Sequence, residues 1–139
     1  MHPGDPRNMQ FHTDGTLPIN DEIFVFGSNL AGRHGAGAAA VAKKKFGAIA
    51  GIGRGRMSCS YAIPTKDHSL RVIPLIKIQA EVDKFLEYAA SHIAEDFFIT
   101  AIGCGLAGYS DHEIAPMFCG ASDNCSFPQQ WERYLANPS

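Results

Sequence analysis

From Ile23 to Phe26 four apolar residues follow one another without a polar break, and the run stops at Gly27. A strand covered on both faces has that pattern, whereas a half-exposed strand would alternate. Ser60 to Ile63 (SYAI) predicts a second strand ended by Pro64, Phe97 to Ile102 a third, and NCSFP a last one. Between them the period changes. Over 74–94, Leu75, Ile78, Val82, Phe85, Leu86, Ala89 and Ile93 recur at steps that add to three or four, the mark of an amphipathic helix. A second helix is expected over the alanine-rich run after Gly37, closed by Gly47 as C-cap.

The remaining segments are shorter. Residues 51–58 (GIGRGRMS) read as a loop or an edge hairpin. DHEIAPMFCGA is a helix that Ser110 or Asp111 can cap, with Pro116 inside it or at its end. PQQWERYLA reads as a short terminal helix with Pro128 at its first position, and Trp131 as a packing residue. Residues 1–20, with Pro3, Pro6, Pro18, Gly4 and Gly15, carry no periodicity and form an irregular lead-in holding at most one short strand.

Strands alternating with helices predict an α/β fold, a mainly parallel mixed sheet flanked by helices. A chain of 139 residues that is 45% hydrophobic supports one core. Residues 21–139 therefore form a single domain behind the lead-in.

Twelve Lys and Arg against fourteen Asp and Glu leave a net charge of −2, so no sequence-wide positive field holds a nucleic acid by its phosphates. The spacing of Cys59, Cys104, Cys119 and Cys125 contains no CxxC pair and matches neither a metal site nor a disulfide framework. No apolar run approaches the ~20 residues of a membrane span, and MHPGDPRNMQ lacks the basic and apolar regions of a secretion signal. The expectation is a protein of the reducing cytoplasm, with no cofactor, no metal and no membrane partner.

The glycines carry the candidate chemistry. Gly27, Gly32, Gly35 and Gly37 follow the first strand, and Gly103, Gly105 and Gly108 follow the third. Glycine reaches positive φ and lets a ligand approach without meeting a Cβ, so such clusters can turn several backbone N–H groups toward one anion. The helix after GRHGAG adds its own unpaired amides. Each cluster alone is equally well a tight turn. Two at the same edge of one sheet point to a phosphate-bearing ligand clamped from both sides. Neither loop has the lysine and hydroxyl of a triphosphate loop, and GRHGAG has the wrong spacing for a dinucleotide fingerprint.

The runs FGSNLAGRHGAGAA and ITAIGCGLAGY resemble the two ligand loops of macro domains, and the likeness spans roughly residues 20–120. It implies a three-layer α/β/α macro-like fold and a small-molecule partner, ADP-ribose or a related nucleotide derived from NAD, free or on an ADP-ribosylated protein. Some members also hydrolyse ADP-ribosyl esters or ADP-ribose 1''-phosphate, and short members occur among phage and bacterial proteins. By position, Asn29 would contact the distal ribose, Gly32 to Gly37 would lie against that ribose and the diphosphate, and Gly103, Cys104, Gly105, Leu106, Ala107 and Gly108 would supply diphosphate amides. Tyr109 would shield the distal ribose. The adenine would meet an aspartate near the first strand, with Asp21 chosen over Asp14.

AIPTKD and IGCGL look most like the branch of terminal ADP-ribose glycohydrolases, in which Lys66 matches a nucleophilic lysine. The acid that branch carries just after GCGL is replaced here by Ala107, and Asp111 is the nearest substitute. A lysine nucleophile needs such a partner for proton transfer. Histidine is the side chain suited to proton transfer at neutral pH, so His34 reads either as a general acid or base toward the ligand or as a loop histidine that bonds backbone. Arg33 is a bidentate phosphate ligand or a solvated cation. Asp67 and His68 read as surface loop, His112 and Glu113 as helix stabilisers. The competing reading is an interaction or oligomerisation module with a vestigial pocket.

Overall fold

Strand β2 (Ile23–Asn29) shows how the apolar run is used. Successive side chains of a strand leave on opposite faces. Ile23 and Val25 enter one core and Phe24 and Phe26 the other, and none of the four is more than 3% exposed. The computed structural model describes residues 9–136, and within them six strands form one sheet. Its order is β1 (Gln10–His12), β6 (Cys125–Pro128), β5 (Phe97–Ile99), β2, β4 (Ser60–Lys66) and β3 (Gly55–Met57). All neighbours run parallel except β3, which pairs antiparallel with β4 as an edge hairpin.

Helix α1 (Gly37–Lys45) lies on the Phe24 and Phe26 face. Its buried residues are Ala39 and Ala42, small enough to bring the helix close to the rings beneath. Gly47 ends it as expected: it is left-handed at φ +78°, and the Ala48 N–H reaches back to the Ala42 carbonyl. On the opposite face α2 (Leu75–Ser91) presents Ile78, Val82, Phe85 and Ala89, all fully buried, to Ile23, Val25, Tyr61 and Phe97. Helices α3 (Asp111–Ile114) and α4 (Glu132–Leu135) share that face, as does fully buried Trp131. The result is a three-layer α/β/α domain.

Several boundaries differ from the sequence reading. Strand β4 runs through Pro64 to Lys66 because β3 covers it only as far as Ala62, so the proline falls at an open edge where no ladder bond is lost. Strand β5 stops at Ile99, three residues early. Pro128 closes β6 instead of opening a helix, and a 3-10 turn, Gln129–Trp131, precedes α4. Pro116 lies in another 3-10 turn, Ala115–Phe118. Ile93 lies beyond the end of α2 and is 65% exposed. The lead-in supplies β1 at the far edge of the sheet.

Strands β2 and β5 are neighbours whose onward connections leave in opposite directions, from β2 toward β4 and from β5 toward β6. A crevice opens at such a switch point, outside the carboxyl ends of the strands.

Candidate functional site

A cleft of about 840 Å³ occupies that crevice, within the size range of small-molecule sites. The loops after β1, β2, β4 and β5 all contribute to it, as parallel strands require.

The two glycine loops face one another across it. Gly35, Gly37 and the first turn of α1 line one side, and Gly103, Cys104, Gly105, Leu106 and Ala107 line the other. A Cβ built on Gly37 would have Leu106 Cδ1, at 4.0 Å, as its nearest neighbour. Gly37 and Gly103 take φ of +57° and +76°, conformations that favour glycine. No side chain caps the N-terminus of α1, leaving its first amides free of a capping bond.

Two cations border the same space. Arg33 and Lys66 both line the cleft, and neither head group has an ion pair or hydrogen bond among the described residues. The loop carrying Arg33 is held by Asn29, whose Oδ1 accepts from the Arg33 N–H at 2.9 Å and whose Nδ2 donates to the Arg33 carbonyl at 2.8 Å. Asn29 therefore spends much of its amide on the loop itself.

The floor on the β1 side is aromatic. His12 stacks on Phe98 with ring centres 3.6 Å apart and planes 16° from parallel, and Phe24 lies 6.3 Å further on. Leu17 and Val41 add apolar walls. His12 Nδ1 lies 2.7 Å from Ser126 Oγ. Burial is the main influence on this imidazole and lowers its pKa; a backbone bond at Ile99 and the Asp14 carboxylate push the other way. Asp14 also lines the cleft, accepting from Gln130 Nε2 at 2.9 Å through one carboxylate oxygen.

Asp111 and Cys104 share the side formed by the β5 loop. Asp111 Oδ1 accepts the indole N–H of Trp131 at 2.6 Å. The Cys104 thiol is pushed up to about 12, first by burial and then by Asp111, so at neutral pH it is a protonated thiol and a poor nucleophile.

Five expected site residues lie elsewhere. His34 is 5% exposed and does not line the cleft; its Nε2 lies 3.1 Å from the Ile49 carbonyl and 2.9 Å from that of Ile52, so of its two readings the backbone-bonding one holds. Its Nδ1 is buried without a partner among the described residues, which costs about 1–3 kcal/mol of desolvation. Tyr109 does not wall the cleft; its hydroxyl donates to the Ile73 carbonyl at 2.7 Å and its ring joins the α2-side core. Gly32 is left-handed and turned away, where a Cβ would fall 2.2 Å from the Gly51 carbonyl carbon. Gly108 takes φ +84° in the turn that returns the Tyr109 N–H to the Gly103 carbonyl, outside the lining. Asp21 precedes β2 and lines a separate depression at the amino ends of the strands.

The residues not anticipated are His12, Leu17, Phe98, Val41, Leu70 and Gln130. Those of the lead-in become visible only once β1 is paired with β6, a contact more than a hundred residues apart that no local pattern signals. No model of a known protein family matches the chain, and no curated protein matches it.

Proposed function

We propose that this chain is a macro-type domain that binds ADP-ribose or a related nucleotide derived from NAD in the cleft at the β2/β5 switch point. The observation that carries the reading is the opposition of Gly35–Gly37 and Gly103–Leu106 across one cavity. In this reading the two loops hold the diphosphate through backbone N–H groups. The distal ribose lies by Asn29 and Lys66, with the Arg33 guanidinium at the adjoining phosphate. The adenine lies over the aromatic floor at His12 and Phe98, where Asp14 offers its second oxygen to an amino group.

Hydrolysis of an ADP-ribosyl ester is the chemistry that suits the cleft better than phosphate removal. Lys66 and Asp111 line the same space, which brings a nucleophilic amine and a carboxylate to one ligand. His34, the group that phosphate removal would need, is buried outside it. The partner is then free ADP-ribose or an ADP-ribosylated protein. All four cysteines are free thiols, which suits a reducing compartment such as the cytoplasm.

Titration calorimetry with ADP-ribose is expected to give one site per chain. Arg33→Ala should weaken binding about tenfold by removing a charge-assisted phosphate contact. Release of ADP-ribose from a glutamyl-ester peptide should be lost in Lys66→Ala while binding persists. No heat up to millimolar ligand overturns the reading and favours an interaction module whose pocket is vestigial.

A further inference from the structure

His34 lies one residue after Arg33 and three before the first residue of α1. Two carbonyl oxygens at one ring nitrogen require a hydrogen there, so Nε2 donates a forked bond to Ile49 and Ile52. Nδ1 is then the lone-pair atom, and it is buried unpartnered among the described residues. The ring meets Phe26 edge-on at 5.5 Å. An apolar side chain of similar size would fill this space without stranding a nitrogen, so packing alone does not explain an imidazole. What the imidazole adds is the fork, which ties the glycine loop to the turn at 49–52.

The same two segments meet where no side chain fits. The Gly51 N–H donates to the Gly32 carbonyl at 2.9 Å, and a Cβ on Gly53 would fall 1.8 Å from the Asn29 carbonyl oxygen. At the near end the Asn29 amide closes on the Arg33 backbone. Fixed at 29, 32, 33 and 34, the loop leaves the Arg33 side chain at the cleft and starts α1 immediately beyond.

We propose that His34 is a positioning residue: its forked bond to Ile49 and Ile52 braces the glycine loop from behind, holding Arg33 and the first turn of α1 at the spacing an anionic ligand requires. The ligand half of this statement rests on the nucleotide reading above; the bracing is a property of the free protein. Rigidity set before binding removes an ordering cost from binding.

Three measurements test it. In the wild-type chain, long-range nitrogen–proton correlation spectra should show His34 as the Nε2–H tautomer; the Nδ1–H tautomer would overturn the proposal whether or not any variant folds. In the free protein, His34→Phe should speed exchange of the bonded amides of Gly32, Arg33, Gly51 and Ile52 about tenfold while β2 and α2 stay protected, and His34→Gln, which can still donate to a carbonyl, should stay within about threefold of wild type. His34→Phe should weaken ADP-ribose about tenfold and leave adenosine, which carries no phosphate to meet Arg33 or the first turn of α1, unchanged.

Wild-type exchange and affinity in His34→Phe would reduce the residue to a filler and sink the idea. Equal losses in folded Phe and Gln variants would do the same, because the fork would then not be what holds the loop. Absence of any wild-type affinity for ADP-ribose would remove the ligand reading, and the exchange comparison would still decide the bracing.

Discussion

The indole N–H of Trp131 is bonded to a carboxylate oxygen of Asp111, 2.6 Å away and twenty positions earlier. One end of the bond is fully buried between Phe118 and Phe127, and the other lines the cleft. The C-terminal segment thereby sets the direction of a site carboxylate. Trp131→Phe keeps most of the packing and deletes the donor. It should cost about 2 kcal/mol from the lost bond and the gap left behind. Calorimetric melting should show a Tm about 6–10 °C lower.

Glycines on the two sides of the cleft wall should respond differently to a single methyl group. Gly105 has ordinary φ and open space where a Cβ would go. Gly105→Ala should change stability by less than about 1 kcal/mol, and weaken ADP-ribose about tenfold by obstructing close approach to the backbone. Gly53→Ala should cost at least about 3 kcal/mol, because its Cβ would overlap the Asn29 carbonyl, which has nowhere to go. Denaturant melts paired with calorimetry separate the two effects; equal outcomes would contradict the geometry.

His12 should make stability depend on pH. Burial lowers its pKa below the ordinary 6.5, so the neutral ring is the form the fold prefers. As pH falls, the unfolded chain takes up the proton first. The contribution is therefore complete above about pH 6.5 and is lost as pH falls through the folded-state value. The Tm of wild type minus that of His12→Phe should fall from pH 7.5 to 5.5, because the wild type alone loses this contribution. Glu22, whose pKa is raised from 4.5 by burial and by Asp96, acts with the opposite sign and is common to both chains. A difference independent of pH would mean that His12 is not held neutral.

Thiol reactivity should divide the cysteines by their surroundings. Cys59 and Cys119 are exposed, whereas burial drives Cys104 and Cys125 up to about 12. An aromatic disulfide reagent at pH 8 should label the exposed pair rapidly and the other two only on unfolding. Mass spectrometry of the labelled peptides assigns them. Rapid labelling at Cys104 would show that its side of the cleft opens readily.

The central strands and α2 were legible because their apolar periods match the burial they receive: Ile23 to Phe26 faces helices on both sides, and Ile78, Val82 and Phe85 mark one stripe. Both glycine loops were legible for a related reason, since strand followed by glycine marks a carboxyl edge. Individual roles within the loops were not. Gly32 and Gly35 look alike in sequence, and only the turn at 49–52 decides that one is packed and the other open. Asn29 lines the cleft as its position at the end of β2 suggests, but nothing in the sequence signals that its amide also closes on the Arg33 backbone four residues away. Asp21 and Asp14 differ by which end of β2 they lie near, and that depends on where β1 joins the sheet.

The pairing of Gln10 with Ser126 and Phe11 with Phe127 joins the first and last strands of the sheet. Closing so large a loop of chain is entropically costly and slow compared with forming a local hairpin or helix. On the ribosome, the segment carrying His12 and Asp14 would emerge long before its partner strand and wait unpaired until β6 had been made. The aromatic side of the cleft would then take shape late, only when β6 arrives to hold β1 in the sheet.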